Sequence, residues 1–263
     1  MRCLFIDSNT FNLKERKRKL YIRKQRKKFF RFIFFLLLGV ILISLPFYNA
    51  IKEYHSPDAQ FILTSTSPKN DNQFTVCIDP GHGDWDTGAI GISNSYEKDI
   101  VLGVALKLGD LLESNNIKVI YTRATDSIPW LETANDSLKE RLQISKISNA
   151  DLFISIHCNT TPTTPDTKGV ETWYNPVNPE SRYFASLLQT ELSNLNYTYN
   201  RGLKTYIENE ELAVLELNEN IAALVELGFL SNFTDEKFLN SDIGQTKCAQ
   251  ALFDAIITYS NEL

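Results

Sequence analysis

Leu152-Phe153-Ile154-Ser155-Ile156 is an almost unbroken apolar run, and Ile221-Ala222-Ala223-Leu224-Val225-Glu226-Leu227 is a second of the same kind. Runs this short and continuous describe central strands covered on both faces, because a half-exposed strand would alternate apolar and polar residues. Working outward, residues 74–79 read as a third apolar strand that ends in a glycine-rich loop, and residues 117–122 as a fourth. A further strand lies around 169–173. Between the strands, residues 97–114 place Ile100, Val101, Val104, Ala105, Leu108, Leu111 and Leu112 on one helical face. Residues 138–147, 181–195 and 243–259 carry the same helical period. Alternation of this kind predicts an α/β fold with a mostly parallel central sheet flanked by helices on both faces.

The rest of the chain divides by composition. Of 263 residues, 43% are hydrophobic and 22% charged, with a formal net charge of −5. Residues 1–31 hold 12 Lys/Arg against Asp7 and Glu15, whereas the remaining 232 residues hold 15 bases and 30 acids. A body that acidic excludes a nucleic-acid partner, for which affinity comes largely from neutralising phosphates. The basic segment, residues 1–28, is followed by an uncharged apolar run from Phe32 to Phe47 that Phe29 and Phe30 lengthen. Residues 29–48 are expected to form one transmembrane helix, an uncleaved signal anchor whose Lys14–Arg31 cluster stays cytoplasmic. The chain would then be a single-pass protein of the cytoplasmic membrane with its main domain outside the cytoplasm, in the periplasm or wall space. Cleavage of the anchor would make it secreted; Tyr48-Asn49-Ala50 fits a cleavage site poorly. Residues 49–73, rich in Ser, Thr, Asn and Pro, read as a tether, and residues 74–263 as the one catalytic domain.

Three segments of that domain could carry chemistry. Asp79-Pro80-Gly81-His82-Gly83-Asp84 follows the first strand, and its glycines leave His82 sterically open. His157 ends the run at 152–156. Of three histidines, His55 lies in the tether, so both domain histidines sit at the carboxyl ends of strands, where open parallel sheets place their ligands. Glu226 interrupts an apolar run, and a buried carboxylate must be paired, ligate a metal or shift its pKa. Glu97 opens a helix, where a carboxylate is favoured by the helix dipole alone. Asp84 and Asp86 read as solvated turn residues. Two imidazoles and one carboxylate with an open position make a zinc set, and a remaining carboxylate could serve as general base. Cys158 cannot form a dyad with His157 if the strand persists, because successive side chains face opposite ways. Cys77 and Cys248 read as core residues, and no disulfide is assigned among Cys77, Cys158 and Cys248.

Taken in order, Val76-Cys77-Ile78-Asp79-Pro80-Gly81-His82-Gly83, Ser155-Ile156-His157-Cys158-Asn159 and Leu224-Val225-Glu226-Leu227-Gly228-Phe229-Leu230-Ser231-Asn232 resemble the zinc-dependent N-acetylmuramoyl-L-alanine amidases of the Asp-Pro-Gly-His-Gly type. The resemblance runs from about residue 75 to the C-terminus. Glu97, Thr122-Arg123, Asp126, Arg141, Asn149-Ala150-Asp151, Gly169-Val170-Glu171-Thr172, Arg201-Gly202 and Ala213-Val214-Leu215 fall between the main motifs in the expected order. It implies Zn2+ bound by His82, Glu97 and His157, with Glu226 as the catalytic carboxylate. Asp79, Asn159 and Glu171 become candidates to support the metal or meet the substrate. The implied reaction is hydrolysis of the amide joining N-acetylmuramic acid to L-alanine in peptidoglycan. Two alternatives are a catalytically silent wall-binding or activator protein and a zinc peptidase acting within the stem peptide. Cys158 and Ile221 depart from the family's habit of a small residue, often Ala, and a proline there. Some members carry an inserted blocking helix; the two prolines among residues 174–180 leave no room for one, so no obligatory activator is expected.

Overall fold

The computed structural model describes residues 73–128, 133–162, 164–206 and 212–262. The basic segment, the apolar run 29–48 and the tether up to residue 72 lie outside the described residues. Among the described residues, no helix is long and apolar enough to cross a membrane.

The described elements are β1 (Thr75–Pro80), α1 (Glu97–Ser114), β2 (Lys118–Tyr121), α2 (Ala134–Ser148), β3 (Leu152–Asn159), β4 (Val170–Tyr174), α3 (Pro179–Asn194), β5 (Asn200–Lys204), α4 (Ala213–Glu216), β6 (Ile221–Phe229), α5 (Phe233–Leu239) and α6 (Asp242–Asn261). Six strands form one sheet in the order β2-β1-β3-β6-β4-β5. All neighbours are parallel except β4, which runs antiparallel to β6. The mostly parallel expectation therefore holds, with one reversed junction that lets β5 pair parallel to β4 at the far edge.

The apolar runs are central because of what covers them. Along β3, Leu152, Ile154, Ile156 and Cys158 face a layer built from α1, α3 and α6, while Phe153 faces Ile144 of α2 and Leu215 of α4. Phe153 and Ile154 are both fully buried. Of the α1 stripe predicted from its period, Ile100, Val101, Val104, Ala105, Leu108 and Leu112 are at most 1% exposed, and Leu111 is partly buried against the same cluster. Each such large side chain contributes about 1.5–3 kcal/mol by burial. Helix starts follow local chemistry. Thr133, Asn178, Asn232 and Ser241 cap α2, α3, α5 and α6 through side-chain oxygens that accept backbone N–H groups.

Two boundaries differ in a way that matters for the site. β3 continues three residues beyond Ile156, because the ladder with β6 carries on through His157↔Glu226 and, after a register shift, Asn159↔Phe229. β6 likewise runs to Phe229, so Glu226 lies inside the strand and directly opposite His157.

Candidate active site

Odd positions of β3 and even positions of β6 face the same side of the sheet, the side of α2. His157 and Glu226 therefore share a face and adjoin across one strand spacing, about 4.8 Å. His82 lies two residues beyond β1, in left-handed backbone at φ 59°, on the turn Gly81-His82-Gly83. Glu97 starts α1; Tyr96 before it caps the helix with no side-chain bond.

These elements deliver their side chains to one point. Glu97 Oε1 lies 3.2 Å from His82 Nε2 and 3.0 Å from His157 Nδ1, and it accepts the Cys158 backbone N–H at 2.9 Å. Glu97 Oε2 accepts the Ala89 N–H at 2.8 Å. The two imidazoles meet edge to face with centroids 5.0 Å apart. Burial would raise the Glu97 carboxyl, but hydrogen bonds and charge from His157 and His82 hold it well below the usual range. Burial would lower His82, but Glu97 and then Asp86 outweigh it and raise its pKa.

The donor set fits a divalent metal ion. One ligand atom from each of His82, Glu97 and His157 falls within 4.8 Å of the others. His82 Nδ1 bonds Asp86 Oδ2 at 2.9 Å, which leaves Nε2 turned to the common point, the usual support for a ligating imidazole. The space is kept by glycines. A Cβ on Gly81 would sit 2.3 Å from His157 Cε1, and one on Gly88 would sit 2.6 Å from Glu97 Oε2 and from His82 Cδ2.

Glu226 is the odd member. Its Oε2 is shut away from solvent and has no hydrogen-bond partner among the described residues. Burial first, then the charges of Glu97 and Glu171, push its pKa well above the ordinary carboxylate value. Glu171 faces it directly across the antiparallel β4–β6 pair. Glu171 itself is satisfied, accepting from Asn159 Nδ2 at 3.1 Å, Trp173 Nε1 at 3.2 Å and Arg201 Nε at 2.6 Å. Asn159 thus meets the site through Glu171.

Asp79 belongs to the support beneath the histidine loop. It accepts from Thr122 Oγ1 at 2.6 Å, Ser155 Oγ at 2.7 Å and Arg141 Nη1 at 2.8 Å. Burial would raise its pKa, but Arg141 and the two hydroxyls outweigh that and lower it. Cys158 is buried on the opposite face, against the α1 layer, and burial raises its thiol pKa far above 9.0. A thiol–imidazole dyad with His157 is excluded by that geometry. Cys77, Cys158 and Cys248 are all buried and free.

Sequence reasoning missed Asp86, read as a solvated turn residue. Its partner is His82, four residues earlier, and the i, i+4 spacing across a glycine turn was the available signal. It also gave no role to Arg123, Arg141 or Glu236. Glu236 of α5, 1% exposed, accepts from Ser93 N at 2.8 Å and Ser95 Oγ at 2.7 Å, and so pins the loop that leads into Glu97.

Residues 76–258 match the family model described as N-acetylmuramoyl-L-alanine amidase. The chain is 32% identical over 187 residues to the N-acetylmuramoyl-L-alanine amidase LytC of Bacillus subtilis, covering 70% of this chain and 35% of LytC. It is 31% identical over 198 residues to the germination-specific N-acetylmuramoyl-L-alanine amidase of B. subtilis, covering 71% of this chain and 80% of that protein. Among solved structures, the CwlD amidase from Clostridioides difficile, in complex with the GerS lipoprotein, aligns at TM-score 0.65 and 32% identity. That alignment covers 73% of this chain and all of the CwlD chain.

Proposed function

The chain belongs to the N-acetylmuramoyl-L-alanine amidase family, and from that membership and the site geometry we propose that it is a zinc-dependent hydrolase of peptidoglycan. It cuts the amide between the lactyl group of N-acetylmuramic acid and L-alanine of the stem peptide, during remodelling of the wall. One arrangement carries the reading: a single carboxylate oxygen of Glu97 lies within 3.2 Å of both imidazoles, and Glu226, opposite His157, has an Oε2 with no hydrogen-bond partner among the described residues.

His82, Glu97 and His157 hold the ion. When bound, zinc lowers the pKa of a water toward ~7 and polarises the scissile carbonyl. The work of the protein's own groups follows from their placement. Asp86 fixes the ring of His82 through Nδ1, and the Ala89 and Cys158 N–H groups fix both oxygens of Glu97. Glu226 accepts the proton of the attacking water and passes it to the leaving nitrogen of L-alanine. Its raised pKa suits a group that must hold a proton between two transfers. Glu171, held by Arg201, lies next to Glu226 and helps to raise its pKa.

Residues 29–48 anchor the chain in the cytoplasmic membrane, with the catalytic domain outside; the support is the Lys14–Arg31 cluster before an uncharged apolar run. No obligatory activator is required; in support, β4 and α3 are joined by residues 175–178 alone, too few for a blocking helix.

Metal analysis tests the metal-holding set. Purified wild-type protein is expected to carry close to one zinc per chain, with sharp losses in His82→Ala and His157→Ala. Full occupancy in both variants would refute the assignment.

A further inference from the structure

Two arginines that the reaction does not use converge on the loop bearing His82. Arg141 of α2 donates from Nη1 to Pro80 O at 3.2 Å and from Nη2 to His82 O at 3.0 Å, besides its bond to Asp79. Arg123, just after β2 and 4% exposed, donates from Nε to Pro80 O at 3.1 Å. Its Nη2 donates to two carbonyls at once: Gly81 O at 2.7 Å and Lys98 O at 2.8 Å. Nη1 reaches Thr125 O at 3.2 Å. Gly81 precedes His82, and Lys98 follows Glu97. One nitrogen therefore spans the two segments that supply two of the three metal-holding side chains.

Such a bracket meets a need visible in the backbone. His82 sits at φ 59°, a conformation that disfavours a residue with a Cβ and persists only when its surroundings enforce it. Three successive carbonyls of that turn, on Pro80, Gly81 and His82, are each held by a guanidinium. A Cβ on Gly83 would collide with Ile128 Cδ1 at 2.4 Å and press on Arg123 Cδ and Nε at 3.1 Å. The hydrogen bonds of the guanidinium among the described residues all go to backbone carbonyls. Burying a charge in this way is costly, and four hydrogen bonds to carbonyls offset the cost. A planar fork with fixed donors meets those directions; an ammonium on a flexible stem cannot bridge Gly81 and Lys98 in the same way.

We propose that Arg123 is a positioning residue for the metal site: its fork sets the spacing between His82 and Glu97 and thereby the affinity and geometry of the bound ion. The proposal rests on the reading that His82, Glu97 and His157 hold a metal.

The test uses full-length wild type, Arg123→Lys, Arg123→Gln and a control, Ser181→Ala. Ser181 Oγ accepts Ala222 N at 3.0 Å at the opposite rim of the sheet, so its loss removes a buried hydrogen bond remote from the loop. Cobalt(II) binding is followed by visible absorption and chelator competition, alongside thermal melting of each metal-free protein. Arg123→Lys is expected to fold and to bind cobalt roughly tenfold or more weakly, the scale seen when outer-shell partners of a ligand are lost, with an altered absorption envelope. Ser181→Ala should bind like wild type whatever its melting temperature. Affinity within twofold and an unaltered spectrum in folded Arg123→Lys would overturn the positioning role while leaving the metal reading intact. So would equal weakening in Ser181→Ala, or failure of both Arg123 variants to fold, which would make the arginine a residue of the fold. Wild type that binds no cobalt would remove the metal reading itself.

Discussion

Glu226 has five strand residues before it and three after, yet no hydrogen bond to its Oε2 among the described residues. A carboxyl so placed costs the fold stability, a cost that suits a group whose task is to take up and release a proton. Glu226→Gln is nearly isosteric, so it should keep the zinc and the fold but lower turnover by about 10²–10⁴. Turnover within threefold of wild type would place the base elsewhere. Cys158→Ser is the companion: its thiol points into the α1 layer, and activity should survive. Asp79 has a pH signature. Its folded pKa lies below the unfolded value of about 3.9, so its stabilisation is complete above that pH and is lost as pH falls through the folded pKa. The gap in melting temperature between metal-free wild type and Asp79→Asn should be constant above about pH 5 and narrow below about pH 4. A gap that widened on acidification would contradict the sign. Sequence alone exposed His82, His157 and Glu226 because each is an anomaly at a strand end or in an apolar run. Glu97 was hidden, since a carboxylate in a first helical turn needs no further reason; only the resemblance promoted it.

Among the elements, the central strands and the β2 edge were legible, and the β5 edge was not. Residues 221–229 are apolar almost throughout because both faces are covered, whereas β5, Asn200-Arg201-Gly202-Leu203-Lys204, is a partly exposed edge with no apolar period. The reversal of β4 leaves no local mark, since strand direction is set by the connections and not by composition. α5 is short and was not anticipated, although Asn232 announces it by capping Thr234 and Asp235. Asn232→Ala should cost about 0.5–2 kcal/mol in thermal or denaturant unfolding of the metal-free protein. Glu236, one turn into that helix, holds the loop before Glu97, so cobalt affinity should fall as well. Unchanged stability and affinity together would remove α5 from the support of the site. Gly81→Ala is the sharper element-level change. Its Cβ would collide with the ring of His157, backbone against ligand, and zinc retention should be lost even where the variant folds.

At the scale of the molecule, the N-terminal ends of β1, β3 and β6 lie at one rim, and His82, His157 and Glu226 follow the carboxyl ends or lie in the carboxyl halves of those strands. Residue 73 precedes β1 at the first rim. A reporter that works only outside the cytoplasm, fused after Leu263, should be active and should fractionate with membranes. A soluble chain starting near Ala50 would contradict anchoring and leave export standing. The CwlD relative was solved with a lipoprotein bound, which makes independence from a partner worth measuring here. Purified protein should degrade isolated peptidoglycan without envelope extract; a hundredfold rescue by extract would reveal a required partner. Peptidoglycan digested by the purified full-length chain, with and without chelator, should be analysed by mass spectrometry. Peptide-free glycan and stem peptides with a new L-alanine amino terminus are expected, both abolished by chelator and restored by zinc. Stem peptides cut internally while L-alanine stays on muramic acid, or products indifferent to chelator, would contradict the zinc-dependent amidase reading.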